Sequence, residues 1–408
     1  MKWDTIQLGE VMDVKHGYAF KSGDFSDTGD LVLLTPGNCH ESGGLKLKGD
    51  REKYYVGEFP PEFLLDEGNM LVVMTDLINT APILGGSFII PESNKFLHNQ
   101  RLGLVQVTDE ARIDKTFLYF LLNTYDYRAQ VRGSASGATV RHTSPGRIRA
   151  CKVRVPREVD YQHKIGAVLS AYDDLIENNR RRMALLEEAA RQLYREWFVR
   201  LRFPGHEHTR ITDGVPEGWE KTTAHAAMDV LSGGTPKTTV SDYWDGDIPF
   251  YTPKDATESC YVLDTERSIT ELGLNNCNSR LYASDTVFIS ARGTVGKLNL
   301  ASRPMAMSQS CYALLGKGHL SQLFLFCALR EAIEHFKQHA VGAVFDAIVV
   351  DTFKLITFTV PDEKKVRLFE ETITPMCRQV ANVMEQNQKL RAARDLLLPR
   401  LMSGEIAV

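Results

Sequence analysis

Long apolar runs are missing from this chain of 408 residues: stretches such as Phe117 to Leu122 last only a few residues, far short of the roughly 18 that a membrane-spanning helix needs. The expectation is a protein with no membrane partner. Asp4 and Glu10 interrupt the N-terminus where an export signal needs an apolar core, so the expected location is the cytoplasm. The seven cysteines, at positions 39, 151, 260, 277, 311, 327 and 377, form no Cys-x-x-Cys pair. That pattern excludes a disulfide scaffold and reads as reduced, mostly buried thiols. Enzyme signatures are absent too: there is no Gly-x-Ser-x-Gly, no His-Glu-x-x-His and no Asn-Pro-Pro-aromatic motif. Arg292-Gly-Thr-x-Gly-Lys297 lacks the spacing of a P-loop, and Pro361-Asp-Glu-Lys364 lacks the strand of a nuclease motif. His206-Glu-His208 offers too few ligands for a metal. No catalytic residue and no metal site are assigned.

What is present is an ordinary folding composition, 43% hydrophobic and 25% charged, in a chain long enough for two or three domains. The net charge of −4 argues against a uniformly basic surface. Acids are nevertheless missing from two stretches. Tyr127 to Arg157 carries eight Lys or Arg residues (128, 132, 141, 147, 149, 152, 154, 157) and no acid, and Thr286 to Arg330 carries Arg292, Lys297, Arg303, Lys317 and Arg330. Those are two basic zones on an acidic chain.

The chain also repeats itself. Trp3 aligns with Trp219, Met12-Asp13-Val14 with Met228-Asp229-Val230, Gly17 with Gly233 and Lys21 with Lys237. The correspondence continues through Thr35-Pro36 and Thr252-Pro253, Met70 to Val73 and Thr286 to Ile289, Gln100 and Gln309, Phe117-Leu118 and Phe324-Leu325, Gly137-Ala138 and Gly342-Ala343, and Val155-Pro156 and Val360-Pro361. The drifting offset fits loops of unequal length on a shared framework. Each half opens with short β-rich runs (Asp30 to Thr35, Met70 to Thr75, Arg101 to Val107; Thr286 to Ser290, Leu355 to Val360) interrupted by a helix, Thr116 to Asn123 or Leu320 to Gln338. A mixed α/β globule is expected twice.

After each Val-Pro the pattern becomes a heptad stripe. In the first half Ile165, Leu169, Tyr172, Ile176, Asn179, Met183, Leu186, Ala190, Leu193 and Trp197 alternate steps of four and three. Phe369, Ile373, Met376, Val380, Val383, Asn387, Leu390, Leu397 and Leu401 repeat the stripe, with Arg394 a second polar interruption beside Asn387. A seam this narrow marks a coiled-coil partner, and the obvious partner is the other helix. Asn179 and Asn387 occupy the same repeat position, where a polar residue fixes register at a cost in stability. Pro375 should kink the second helix or reset its start. Each helix of about 40 residues would span about 60 Å, so antiparallel packing would place two related globules at opposite ends of a spacer. Two basic readers at fixed separation suit duplex DNA, whose faces recur every 34 to 36 Å or so.

The segments Trp197-Phe198 through Phe203-Pro204-Gly205-His206-Glu207, Gly214-Val215-Pro216-Glu217-Gly218-Trp219 and Leu398-Pro399-Arg400-Leu401-Met402-Ser403-Gly404-Glu405-Ile406, with this architecture, closely resemble the specificity (S) subunit of type I restriction-modification enzymes. The resemblance covers essentially the whole chain. It implies an α/β fold of two homologous target recognition domains separated by two long antiparallel coiled-coil helices with a pseudo-two-fold axis. The expected boundaries are 1–157 and 204–361 for the recognition domains with their linker, and 158–203 and 362–408 for the helices. It further implies a non-catalytic subunit that reads an asymmetric bipartite target in double-stranded DNA and docks two methylation (M) subunits. Restriction (R) subunits complete the complex. No cofactor is expected on this chain; S-adenosylmethionine, ATP and Mg are expected on the partners. The rival readings are a stand-alone DNA-modifying or cleaving enzyme and a coiled-coil adaptor without sequence-specific DNA binding.

Candidate DNA contacts follow from residue type. The segment Arg132-Gly-Ser134-Ala-Ser136-Gly-Ala-Thr139-Val-Arg141-His142 combines small residues, hydroxyls and guanidinium groups, as phosphate and base contacts require; the competing reading is a solvated loop. His16-Gly-Tyr18-x-x-Lys21 and Ser232-Gly-Gly-Thr-Pro-Lys237 are matched Gly turns leading to Lys, suited to phosphate or kept as ordinary turns. Gln100 and Gln309 match across the halves and suit adenine, or satisfy strand ends. Arg101, Lys254, Arg292, Thr294 and Lys297 complete the set. Trp3 and Trp219 are assigned to packing.

Overall fold

The computed structural model describes residues 2–293, 295–339 and 348–408. Thr294 and the Gly342-Ala343 match lie outside them. The chain forms two compact units, Met1–Leu175 with Leu390–Val408, and Ile176–Lys389.

In the first unit a four-stranded antiparallel sheet runs in the order Met12–His16, Leu102–Val107, Met70–Val73, Ser87–Ile89. Successive strand residues face opposite sides. Both sides are covered: Met70 and Val72 enter one buried cluster, Leu71 and Val73 another. That is why this strand reads as an unbroken apolar run rather than an alternation. Trp3–Gln7 pairs with Lys152–Pro156, closing the end of the unit onto its beginning. The helix expected near Thr116 spans Lys115–Leu121 and is capped by Asp114, whose carboxylate accepts the Phe117 N–H at 2.7 Å.

The second unit repeats this four-strand order and adds an edge strand. Its sheet runs Met228–Ser232, Cys311–Gly316, Val287–Ser290, Leu298–Ala301, with Tyr261–Val262 added in parallel at the edge. Glu220–Thr223 pairs with Thr357–Val360 as Trp3–Gln7 does with Lys152–Pro156. The duplicated Thr-Pro motif shows the match at atomic scale. Thr35 donates its N–H and hydroxyl to Asn38 Oδ1, and Thr252 donates the same two groups to Asp255 Oδ2, all at 2.7–2.9 Å.

The long helices span Val159–Tyr194 and Glu363–Ser403. Within the second unit Asn179 meets Asn387 and Tyr194 meets Phe369, so the helices run antiparallel there. Within the first unit Ile165 and Leu169 share a core with Leu397 and Leu401, and Arg394 pairs with Asp173. Ile165, Leu169, Ile176, Ile373, Val380 and Val383 are buried, and Tyr172, Met183, Leu186, Leu193, Leu390 and Leu397 half-buried. Pro375 does not reset the second helix, which continues through it. Pro375 withholds a donor from the Glu371 carbonyl, and beside it Thr374 donates its hydroxyl to the Glu370 carbonyl at 2.7 Å. Trp219 is buried, as assigned; Trp3 is only half-buried, with Arg154 over its ring at 5.7 Å.

Asn179 Nδ2 donates to Asn387 Oδ1 at 2.9 Å, and Asn387 Nδ2 to the Ile176 carbonyl at 3.2 Å. Asn387 is 2% exposed. Replacing it alone by Leu strands the Asn179 amide and should cost about 1–2 kcal/mol, whereas replacing both by Leu should match or exceed the parent stability. Thermal unfolding of the three variants checks this; a double variant weaker than the single one contradicts it.

Candidate nucleic-acid interface

Four segments cross one end of the first unit's sheet, laced by backbone hydrogen bonds. Tyr18 N–H donates to His98 O and Gln100 N–H to Tyr18 O, both at 2.9 Å; Met74 N–H donates to Arg101 O at 3.0 Å and Thr143 N–H to Met74 O at 2.9 Å. Arg141–His142 then pairs as a short strand with Thr75–Asp76. The lacing demands a glycine at position 17, because a Cβ there would fall 2.3 Å from the Asn99 carbonyl oxygen.

The same crossing recurs in the second unit. Gly234 N–H donates to Met307 O at 3.1 Å, Ala291 N–H to Ser310 O and Ile348 N–H to Ala291 O, both at 2.8 Å. A Cβ on Gly233 would lie 2.2 Å from Ser308 O. Two matched glycines, each pressed on the backbone just before a matched glutamine, explain why those sequence positions repeat.

The fold thus gathers His16, Tyr18, Lys21, Gln100, Arg101, Arg141 and His142 at one end of one sheet, and Lys237, Arg292 and Gln309 at the corresponding end of the other. His16, Lys21, Gln100, Arg101, Lys237, Arg292 and Gln309 are exposed. Tyr18 stacks edge-on with Phe20 at 5.1 Å. Beneath them His98 donates its Nε2–H to the Leu102 carbonyl at 2.9 Å, and burial pushes its pKa down to about 4, so it is neutral near pH 7.

The supposed flexible loop from Arg132 to His142 is better ordered than its composition suggests. Arg132 and Ser134 belong to the helix Tyr125–Ser134, and Ser134 donates its hydroxyl to Val131 O. Ser136 and His142 exchange backbone bonds, so only the tip around exposed Thr139 projects. Arg141 donates to Arg132 O at 2.9 Å and Gly137 O at 3.3 Å, tying the turn shut. Arg147, which sequence reasoning left off the candidate set, donates to Ser136 Oγ at 3.0 Å, and Arg132 lies over the Tyr125 ring. Those partners are neutral, so the three guanidinium groups keep their charge for a ligand. Elsewhere in the first basic zone Arg128 is buried on the Glu41 and Pro82 carbonyls, Arg149 and Arg157 pair with Asp13 and Asp4, and Lys152 and Arg154 are exposed.

The second basic zone is more neutralised than the sequence suggests. Lys297 pairs with Glu258, Arg303 with Asp264 at 2.9 Å and Lys317 with Asp229 at 3.5 Å; outside that zone, Lys254 pairs with Glu266 at 3.9 Å. Gln309 Oε1 accepts the Thr235 hydroxyl. Among the described residues no cluster of His, Cys, Asp and Glu is arranged to hold a metal, and no helix is long and apolar enough to cross a membrane.

The family model for the type I restriction modification DNA specificity domain matches residues 1–188 and again 216–386. Over 345 aligned residues the chain is 23% identical to the type I restriction enzyme MjaIX specificity subunit of Methanocaldococcus jannaschii, covering 81% of this chain and 77% of that one. It is 21% identical to the HindI specificity subunit of Haemophilus influenzae, with 99% of each chain covered. Among solved structures, the S subunit of a type I restriction-modification system from M. genitalium shares the fold with a TM-score of 0.58 at 16% identity, over 98% of this chain and 96% of that one.

Proposed function

The chain belongs to the type I restriction-modification DNA specificity family, and from that membership we propose that each unit reads one half of an asymmetric bipartite site in duplex DNA. The observation that carries this reading is the duplicated crossing, which presents lysine, arginine and glutamine at corresponding ends of two equivalent sheets. Phosphates would be met by Lys21, Arg132, Arg147, Lys237 and Arg292, and base edges by Gln100, Arg101, Gln309 and the hydroxyls near Ser136 and Thr139. Arg141 acts through the turn it ties. Because the two units carry different side chains at the crossing, their half-sites differ.

The long helices set the gap between half-sites and dock two methylation subunits, with restriction subunits joining the larger assembly. The chain itself does no chemistry in this reading: S-adenosylmethionine, ATP and Mg belong to the partners, which methylate adenine in the target.

Methylome sequencing of cells with and without this chain tests the proposal. A bipartite adenine mark should vanish on deletion, and exchange of residues 1–157 for another family member's domain should alter one half of the mark only. Changes in both halves contradict modular reading. In salt titrations of binding, Lys237→Ala should lower the slope of log K against log salt by about one.

A further inference from the structure

Beside the Arg141 turn, the segment after Met74 makes a short projection whose tip is aliphatic. Leu77 is 61% exposed and Ile78 55%, and among the described residues they are the one consecutive pair of large hydrophobic side chains so displayed. Asn79 and Thr80, also exposed, complete the tip. The display is built rather than loose. Asp76, 1% exposed, accepts the Ile78 N–H at 3.0 Å with one carboxylate oxygen and the Ile83 N–H at 2.8 Å with the other. Ala81 takes a left-handed φ of 50° and, with Leu84, is buried in the core, so the far end of the projection is anchored as well. Pairing of Thr75–Asp76 with Arg141–His142 holds the tip next to the charges of Arg132, Arg141 and Arg147.

A rigid tip that keeps two aliphatic side chains in water forgoes the burial each would gain in a core, and its cationic surroundings favour a polyanion. An A·T pair in the major groove offers what this tip complements: the thymine C5-methyl for Leu or Ile, and the adenine N6 and N7 edge for Asn. We propose that Leu77 and Ile78 pack on a thymine methyl group in the half-site read by the first unit, with Asn79 taking the adenine of the same pair. The inference rests on the DNA-reading function above and adds the base pair and the residues that select it. The corresponding turn of the second unit carries Arg292 and the left-handed glycines Gly293 and Gly296, with Val295 packed inward. Among the described residues of that turn no large aliphatic side chain is exposed, and the methyl-dependent position is assigned to one half-site.

The test uses the full chain, co-expressed with its partner subunits, on a randomised duplex pool amplified with dTTP. The enriched duplex is then remade with uracil for thymine, one position at a time, which removes only the methyl group. The parent should lose about fourfold in affinity at one position in one half-site. Leu77→Ala/Ile78→Ala should lose a similar factor on the thymine duplex and show no further response to uracil, and Asn79→Ala should relax the choice of base at that pair. An enriched motif that responds to uracil equally in parent and variant overturns the inference while leaving the DNA-reading function standing. So does a variant that sheds its partner subunits yet keeps the parent's base preferences, which would make the tip a protein contact. Failure of the parent to enrich any motif removes both.

Discussion

Gly17→Ala should cost the first unit about 3 kcal/mol or more and abolish the DNA-reading surface with it. The glycine is not needed for handedness, since its φ is not in the left-handed region. It is needed for closeness: the added methyl would lie 2.3 Å from Asn99 O, 2.4 Å from its carbonyl carbon and 2.6 Å from His98 O. All three are backbone atoms, held by the bonds from Tyr18 to His98 and from Gln100 to Tyr18, so no side-chain rotation relieves the clash. Gly233→Ala should do the same to the second unit, where the obstruction is the carbonyl of Ser308 at 2.2 Å. Gly23→Ala is the control, because nothing lies within 4 Å of a Cβ there, and a change within about 0.5 kcal/mol is expected. Urea unfolding of the full chain compares them. Equal effects at positions 17 and 23 would show that the crossing tolerates rearrangement.

Arg394→Ala should be the most damaging change on the helix seam. Arg394 donates to Asp173 and to Asp395, and the Arg394 and Asp173 side chains are 15% and 28% exposed. Burial raises the Asp173 carboxyl above its ordinary value, and the charge of Arg394 offsets this only in part. A buried ion pair that loses one member leaves a charge without compensation, which costs about 3–5 kcal/mol in a dry interior; residual solvent access here brings the expectation to about 2–3 kcal/mol. The sign of the pH dependence follows. Asp173 binds its proton more tightly in the folded chain than in the unfolded one, so its contribution to stability falls as pH rises from the ordinary carboxylate value to the folded one, and is flat above. Removing Arg394 widens that window. The deficit of the variant should therefore be largest near neutral pH and shrink as pH approaches the carboxylate range, and Asp173→Asn in the same background should recover much of the loss. A deficit independent of pH would place the effect in lost packing of the arginine stem instead.

Much of this architecture is legible in the amino-acid sequence itself. The duplication, the antiparallel helix pair and the shared repeat position of Asn179 and Asn387 all depend on patterns that lie along the chain; that the two amides bond each other is seen only in the fold. A heptad seam is one-dimensional, and two equal stripes with polar residues at the same repeat position can satisfy each other in few ways. The matched glycines and glutamines were also visible as matches, although not as neighbours across a crossing. Pro375 does not reset the helix, because Ile373, Cys377 and Val380 on either side of it are buried in one core.

The candidate interface was legible only as a list of residue types. Counting basic residues overstated the second zone, because Lys297 meets Glu258 and Arg303 meets Asp264, each 39 residues away in sequence. That Arg141 also ties its own turn through the carbonyls of Arg132 and Gly137 left no mark in the residue types. Leu77 and Ile78 carried no signal at all, since an aliphatic pair after a strand is ordinarily core. Local periodicity and the internal repeat therefore determined the framework from sequence alone, because helix seams and strand order are written in spacings that a neighbouring residue can satisfy. Which charges stay unspent, and which apolar groups stay in water, was decided only by tertiary structure, because each depends on partners brought together from distant parts of the chain.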